Sequence, residues 1–280
     1  LAALEKGVKG DVWYSLIDKV YSLANLKAAY AKVCANKGAA GVDHITLRQF
    51  GKRQEEELLR LHERLKHGQY TPSPVLRTWI PKGNGEQRPL GIPTVRDRIV
   101  QTALRNVLEP IFEREFAEHS YGFRPKRSAK QALRRVDCLL KRGYRYVVDA
   151  DIKGYFDAIP KAALMMRVKE RVADQRVLAL VQSFLDQPVQ DKGTLLAPEK
   201  GTPQGAVISP LLANICLSPF DHYMATKGYE MTRYADDFVV QCRTREEAEE
   251  ALQAIRAWME AAQLMLHPTK TRIVCIDMWQ

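Results

Sequence analysis

The segment YRYVVDADI, residues 144–152, decides the expected fold. It is rich in β-branched and aromatic residues, which is typical of a buried β-strand. Because strand residues alternate between faces, Asp149 and Asp151 lie on one side, with Val148 and Ala150 on the other. A carboxylate at the end of such an apolar strand is costly unless it has a partner. Asp151, where the strand ends, is therefore expected to need a partner.

Two adjacent carboxylates, Asp236 and Asp237, occupy a second informative segment. Residues 229–243 predict two strands that turn at Ala235 and Asp236. Adjacent carboxylates repel each other, and a divalent cation that prefers oxygen ligands relieves this repulsion. Together with Asp151 they could hold two metal ions, an arrangement suited to in-line displacement at phosphorus. Taken alone, however, an Asp-Asp pair is also ordinary turn chemistry.

The remaining patterns predict an α+β protein. From residue 144 onward, further elements accompany the two segments described above. We expect a short hairpin over 187–200 and a final strand over 271–277. Helices are expected over 161–173, 176–186 and 244–262, and another begins at Ser209. This order suits an antiparallel sheet backed by helices. Before residue 144 we expect helices over 11–35 and 53–67 and a β-hairpin over 75–93. Two further helices are expected, one that begins at Thr94 and one from Ser128 to Gly143. We expect the domain boundary near residue 143, giving domains 1–143 and 144–280.

The net charge of +10 is unevenly distributed along the 280 residues. Residues 1–150 contain 28 Lys and Arg against 16 Asp and Glu, whereas residues 151–280 contain 15 against 17. This predicts a polyanion-binding surface beside a site that collects cations, although a solvated basic face would give the same counts. The sequence contains no run of 18 or more apolar residues, so no membrane-spanning helix is expected. The five scattered cysteines form no CxxC pair, so neither a zinc site nor a disulfide framework is expected.

Six segments, in this order and at these separations, resemble a known family. DADIKGYFDAI (149–159), KGTPQGAVISPLLANICL (200–217) and YADD (234–237) resemble the catalytic strand, the following loop and helix, and the catalytic turn of reverse transcriptases. NKGAAGVD (36–43), WIPKGNGEQRPLGIPTVRDRIVQ (79–101) and HSYGFRPKRSAKQAL (119–133) resemble the fingers of group II intron reverse transcriptases, also called maturases. The resemblance runs from about residue 12 to residue 277.

The resemblance implies a fold and a reaction. The expected fold is a polymerase right-hand palm, an antiparallel sheet backed by helices, with mostly helical fingers that carry a β-hairpin. The expected enzyme is an RNA-directed DNA polymerase that uses two Mg²⁺ ions, with Mn²⁺ as a substitute. Its expected partners are an RNA template, a DNA primer, deoxynucleoside triphosphates and intron RNA. A bacterial, cytoplasmic location is expected, and the oligomeric state is left open, with a homodimer among the options.

The resemblance also assigns site residues. Asp151, Asp236, Asp237 and the backbone carbonyl of Ile152 match the metal ligands. Phe156 matches the residue under the incoming sugar, with Tyr155 as a competitor for that role. The other nucleotide-binding positions are Lys82, Arg88, Gln204, Gly205 and Lys270. Lys82 and Arg88 are expected to face the triphosphate, where Arg offers a rigid fork of donors. Gly205 lets the backbone approach a base pair, and Lys270 is expected near the leaving pyrophosphate.

Four basic residues are expected to contact the backbone of template or intron RNA: Lys126, Arg127, Arg134 and Arg135. Family members continue into a primer-gripping hairpin and a helical thumb, so we expect this chain to stop before those parts. The alternatives are a CRISPR-associated or phage-defence reverse transcriptase and a non-catalytic RNA-binding maturase. A nucleotide cyclase is a further alternative, which the basic first half and the PQG motif (203–205) argue against.

Overall fold

The computed structural model describes Leu4, residues 11–81 and residues 87–276. Its helices are α1 Ile17–Tyr21, α2 Leu23–Asn36, α3 Leu47–Gly51, α4 Gln54–Lys66, α5 Val95–Glu113, α6 Ala129–Lys141, α7 Tyr155–Ala158, α8 Lys161–Lys169, α9 Gln175–Leu185, α10 Ser209–Thr226 and α11 Arg245–Ala261. Its strands are β1 Val75–Pro81, β2 Gln87–Ile92, β3 Tyr146–Asp151, β4 Val189–Asp191, β5 Thr194–Leu196, β6 Glu230–Tyr234, β7 Asp237–Cys242 and β8 Arg272–Cys275. Among the described residues, no helix has the length and apolarity needed to cross a membrane.

The chain divides into two compact units, each built from separate stretches of sequence. The first unit contains Leu1–Arg114 and Lys161–Ser209, and the second contains Glu115–Pro160 and Pro210–Gln280. The boundary expected near residue 143 therefore falls inside the second unit. Helix α6 is the reason, because it packs against β6 and β7 and so joins the second sheet.

The first unit is a helical body with a four-stranded sheet in the order β2-β1-β4-β5. Strands β1 and β2 form the expected antiparallel hairpin, whereas β1 and β4 run parallel. Helix α5 is the buried centre of this unit and packs against α2. It begins as expected at Thr94, whose hydroxyl accepts a hydrogen bond from the Asp97 N–H at 3.2 Å. The Asp97 carboxylate accepts from the Tyr70 hydroxyl at 2.5 Å and from the Ser73 N–H at 3.2 Å, which ties the approach to β1 onto the helix.

The second unit is built on an antiparallel sheet in the order β6-β7-β3-β8. Helices α6 and α11 pack against it. Between α10, β7 and α11 an aromatic cluster forms, in which the Phe220 ring lies 5.1 Å from Phe238 and 4.9 Å from Trp258. The expected α+β fold, an antiparallel sheet with packed helices, is thus confirmed, and β3 lies inside the sheet with Asp151 at its end.

Candidate active site

The turn between β6 and β7 carries two adjacent carboxylates. Tyr234 pairs with Asp237 in the register, so Ala235 and Asp236 form a two-residue turn at the expected position. Ala235 has a left-handed φ of +61°, which a residue with a Cβ rarely adopts without support. Its carbonyl accepts a hydrogen bond at 2.7 Å from Nη1 of Arg233. The last residues of β6 therefore hold the turn that follows them.

Arg233 is fully buried and connects the turn to helix α10. Its Nε and Nη2 donate to the two carboxylate oxygens of Asp221 at 2.7 and 2.5 Å, and its Nη1 donates to Asn214 at 3.0 Å. The Asn214 amide in turn donates to the carbonyl of Gly122 at 2.9 Å. A Cβ on Gly122 would lie 2.1 Å from the Ala235 nitrogen, so glycine is required there. The hydrogen bonds to α10 and the close contact with Gly122 therefore hold the turn in place.

Asp151 lies directly opposite the turn. In the β3–β7 register Asp151 pairs with Asp237, which brings the carboxylates of two strands to the same end of the sheet. Burial raises the pKa of Asp237, and the negative charges of Asp236 and Asp151 raise it further, while Lys270 lowers it. The negative charges of these carboxylates therefore repel one another.

Lys270 supplies a positive charge to this group. Its ammonium donates a hydrogen bond at 2.6 Å to Oδ2 of Asp151, and this contact raises the pKa of Lys270. The Lys270 side chain is 61% exposed, whereas that of Asp151 is 17% exposed. Within the described residues, no group of three or more His, Cys, Asp or Glu side chains is arranged to hold a metal ion. The carboxylates meet at one end of the sheet, and at Asp151 an ammonium balances the charge.

Ile152, the expected backbone ligand, is buried and bridges Leu266 across a short antiparallel contact. The hydrogen bonds of this bridge come from flanking residues. The Lys153 N–H donates to the Met265 carbonyl at 2.8 Å, and the His267 N–H donates to the Asp151 carbonyl at 2.7 Å. The main chain that leaves β3 is thereby fixed.

Phe156 and its neighbour Tyr155 have different environments. Gly154, with a left-handed φ of +56°, starts the short helix α7 that carries both rings. Tyr155 is 2% exposed and its hydroxyl donates to the Ala213 carbonyl at 2.7 Å, so it is a core residue. Phe156 is partly exposed, and its ring meets that of Phe123 edge-to-face at 6.2 Å. Of the two rings, only Phe156 is available to a ligand.

In the first unit, the structure brings together two segments predicted to bind nucleotide. The Gly91 N–H donates to the Gln204 carbonyl at 2.6 Å, and Nε of Arg88 donates to the Gln204 side chain at 3.1 Å. Gly205 has a φ of +101°, and a Cβ there would lie 2.3 Å from the Gly91 carbonyl oxygen. Lys82 lies outside the described residues.

The four predicted RNA contacts have different surroundings. Lys126 and Arg134 are exposed. Arg127 donates to the Glu118 carbonyl at 2.7 Å and lies over the ring of Tyr121. Arg135 is engaged in an ion pair with Glu230, and its side chain is only 16% exposed, which favours a structural role.

Several residues around the β6–β7 turn were missed by the sequence interpretation: Arg233, Asp221, Asn214, Gly122 and Phe123. A signal was present for three of them. Arg233 is a cation inside a predicted strand, and a cation that such a strand buries requires a partner. Asn214 and Asp221 are seven residues apart on a predicted helix, a spacing that places them on one face.

Comparison with known proteins gives a consistent assignment. Residues 80–279 match the family model described as reverse transcriptase (RNA-dependent DNA polymerase). The protein YkfC of Escherichia coli K12 is 36% identical over 281 residues, which cover 85% of this chain and 74% of YkfC. The group II intron-encoded protein LtrA of Lactococcus lactis subsp. cremoris is 39% identical over 202 residues, which cover 70% of this chain but 33% of LtrA.

Solved structures show the same fold. A chain of a Cas6-RT-Cas1–Cas2 complex aligns with a TM-score of 0.53 and 25% identity, over 88% of this chain and 41% of that one. Apo telomerase from Candida tropicalis aligns with a TM-score of 0.57 and 15% identity, over 81% of this chain and 56% of the telomerase chain. The family match covers more than half of the chain and includes β3 and the β6–β7 turn. The chain therefore belongs to the reverse transcriptase family, and its relatives include group II intron-encoded proteins and intron maturases.

Proposed function

We propose that the protein is an RNA-directed DNA polymerase of the group II intron type, which extends a DNA primer on an RNA template. The observation that carries the proposal is the pairing of Asp151 with Asp237, beside Asp236, at one end of the second sheet. These carboxylates and the carbonyl of Ile152 would hold two Mg²⁺ ions, for which Mn²⁺ can substitute. When bound, such ions activate the primer 3′-hydroxyl and stabilise the leaving pyrophosphate.

The residues present fit this role on electrostatic grounds. The raised pKa of Asp237 reflects burial and two neighbouring negative charges, and a divalent cation relieves that repulsion. The chemistry of phosphoryl transfer depends mainly on positioning and on charge stabilisation. The buried guanidinium of Arg233, which fixes the Ala235 carbonyl, provides such positioning.

For the nucleotide, we assign the triphosphate to Arg88 and Lys82, and contact with the base pair to Gln204 and Gly205. Arg88 and Gln204 already form a hydrogen bond, so one ligand can engage both side chains. The contact between Gly205 and the Gly91 carbonyl leaves no room for a side chain, which keeps the backbone accessible. Lys270 bonds to Asp151, so its ammonium is close to the catalytic carboxylates, where a leaving pyrophosphate would gain from a cation.

For the sugar, we assign the selection of deoxynucleotides to Phe156. The partly exposed ring lies five residues after Asp151, on the helix that follows the catalytic strand. A ring packed against the sugar would exclude a 2′-hydroxyl by steric clash. The burial of Tyr155 and its bond to Ala213 argue against the competing assignment.

For RNA, we propose that the basic residues before 143 contact the phosphate backbone of template and intron RNA, which would also assist splicing. LtrA, described as a group II intron-encoded protein, supports the intron assignment, although this chain spans only a third of it. A second candidate is a CRISPR-associated reverse transcriptase, which the similarity to the Cas6-RT-Cas1–Cas2 complex favours.

The deciding experiment is primer extension by the full-length protein on poly(rA)/oligo(dT) with dTTP and Mg²⁺. We expect extension that requires the divalent cation and is lost in an Asp236→Asn protein. RNA binding without extension, in either Mg²⁺ or Mn²⁺, would replace the polymerase with a non-catalytic maturase. Selective binding of an intron RNA encoded around the gene separates the intron type from the CRISPR-associated type.

A further inference from the structure

Residues 119–123 connect the catalytic turn to the ring of Phe156. The Arg233 N–H donates to the His119 carbonyl at 3.0 Å, and the Tyr121 N–H donates to the Arg233 carbonyl at 2.9 Å. The segment thus runs beside β6 like a short additional strand. Gly122 then abuts the Ala235 backbone. Phe123 directly follows a residue that is fixed against the catalytic turn.

Phe123 combines two unfavourable features. Its backbone is left-handed, with a φ of +59°, which is an outlier for a bulky aromatic residue. Its side chain is 43% exposed, although it is a large apolar group. Such strain persists only where the surroundings impose it, and it concentrates at functional sites. The combination suggests a function for the ring beyond filling the core.

The ring of Phe123 packs against Phe156. The two centroids are 6.2 Å apart and the planes are inclined by 75°, an edge-to-face contact. Tyr155 also meets Phe156, at 5.8 Å and 60°. Tyr155 cannot move easily, since it is buried and bonded to the Ala213 carbonyl. Phe156 therefore contacts two rings, one anchored in the core and one that follows a residue packed against the catalytic turn.

We propose that Phe123 is a specificity-determining residue that holds the Phe156 ring in the position from which it excludes a 2′-hydroxyl. The proposal rests on the proposed function, in which Phe156 lies under the incoming sugar. A ring that excludes a 2′-hydroxyl by steric clash can discriminate between sugars only if the ligand cannot displace the ring. Removal of Phe123 opens space into which Phe156 can rotate, and a ribonucleotide is then tolerated. Phe123 is a positioning residue, because it acts through Phe156.

The test measures kcat/KM for dTTP and for UTP on poly(rA)/oligo(dT) with the full-length protein. Phe123→Leu keeps an apolar side chain, and Phe123→Asn suits the left-handed backbone, so at least one of them should fold. We expect the dTTP preference to fall by about threefold to tenfold in both, the factor that corresponds to the energy of one edge-to-face pair. Phe123→Tyr retains the ring and should retain the preference.

A double variant shows whether Phe123 acts through Phe156. In a Phe156→Val background, Phe123→Leu should cause no further loss of preference. Tyr14→Leu, at an exposed aromatic residue of the first unit, should leave the preference unchanged. The proposal is overturned if Phe156→Val changes the preference and neither Phe123 variant does, or if the two effects multiply. A wild-type protein that incorporates no dTTP refutes the proposed function itself, and the role of Phe123 with it.

Discussion

At the scale of single residues, the carboxylates of the candidate site lie close together although their negative charges repel one another. Asp237 is disfavoured as an anion by burial and by Asp236 and Asp151, yet the β3–β7 register keeps them together. The ammonium of Lys270, bonded to Asp151, supplies a compensating charge. This arrangement lowers the stability of the protein without ligands, and bound cations with a triphosphate would offset that cost.

The first prediction concerns these carboxylates. Asp151→Asn, Asp236→Asn and Asp237→Asn should each slow primer extension by at least about a hundredfold, because a metal ion loses a charged ligand. RNA affinity should stay near that of the wild type, since phosphate contacts by basic residues dominate it. Extension rates and RNA dissociation constants of the three variants are the measurements.

Asp149→Asn is the matched control for this prediction. Asp149 lies on the same strand and face, two residues before Asp151, and is partly exposed beside Arg272 at 3.4 Å. Its substitution should leave extension within about twofold of the wild-type rate, as for most surface changes. If Asp149→Asn were as inactive as Asp151→Asn, general disturbance of β3 would explain the loss, and the assignment of metal ligands would lose its support.

The second prediction concerns the sugar. Phe156→Val should raise the incorporation of UTP relative to dTTP, because the smaller side chain no longer fills the space of a 2′-hydroxyl. Tyr155→Phe is the control: it loses the bond to the Ala213 carbonyl, at a cost of about 1 kcal/mol in the free energy of unfolding, but keeps the ring. The ratio of the two kcat/KM values should change in the first variant only. An equal change in both would move the gate to Tyr155.

At the scale of secondary-structure elements, the β6–β7 hairpin depends on a buried ion pair. Arg233 and Asp221 are nearly inaccessible, with side chains 1% and 2% exposed. Removal of one partner leaves an uncompensated buried charge, whereas replacement of both by apolar groups is often tolerated. The pair therefore specifies where the turn lies relative to α10.

The third prediction follows from this pair. Arg233→Met should lower the free energy of unfolding by about 3–5 kcal/mol, and the Arg233→Met/Asp221→Leu double variant should recover most of that loss. Urea unfolding of the two proteins measures both effects. We also expect the double variant to extend primers slowly, because Nη1 no longer holds the Ala235 carbonyl. Full activity in a stable double variant would show that the turn needs no such support.

Much of the element-level structure could be predicted from sequence. The β-branched and aromatic residues of 144–152 predicted β3, and the flanking strands predicted the turn at Ala235 and Asp236, because these signals are local. The one-turn helices α3 and α7 were missed, since so short a helix depends on tertiary contacts rather than on its own sequence. The partners of Arg233 were missed for a related reason, because they belong to another element. The contact between Phe123 and Phe156 joins residues 33 positions apart, and no local pattern indicates it.

At the scale of the whole molecule, the division into units could not be predicted from local patterns. Asp174 shows why: it caps α9, yet it also accepts hydrogen bonds from the N–H groups of Leu16 at 2.7 Å and Ile17 at 2.9 Å. Asp174, in the second half of the chain, thereby anchors a segment near the beginning of the first half. Contacts over 158 positions of sequence decide which segments form one unit.

The fourth prediction tests this anchor through pH. Burial alone would raise the pKa of Asp174, but hydrogen bonds from four backbone N–H groups lower it overall. The resulting stabilisation is complete above the ordinary Asp pKa of about 3.9 and is lost as pH falls toward the lower value in the folded protein. Asp174→Ala should therefore cost about 2–3 kcal/mol at pH 7 and less at pH 3. Urea unfolding at both pH values measures this, and an equal cost at both would contradict it.

The last prediction concerns RNA and the uneven charge of the chain. Residues 1–150 carry 28 Lys and Arg against 16 Asp and Glu. If these residues bind RNA phosphates, affinity must fall steeply with salt, because each neutralised phosphate releases condensed counterions. Exposed basic residues should contribute most, and of the four predicted contacts Lys126 and Arg134 are exposed. Charge reversal of these two should weaken binding to many RNA sequences alike, since phosphate contacts carry no sequence information.

The salt dependence of the RNA dissociation constant separates this from a loss of folding. The Lys126→Glu/Arg134→Glu protein should lower the slope of log affinity against log salt by about 0.7 for each phosphate of single-stranded RNA that is no longer neutralised. Lys227→Glu/Arg256→Glu, at exposed residues of the second half of the chain, reverses as much charge and should leave the slope unchanged. Arg135→Glu is a different case, because it breaks the ion pair with Glu230 and should reduce stability more than the salt slope. A slope that falls equally in the first two double variants would assign RNA binding to net charge alone, and the basic segment before residue 143 would lose its special role.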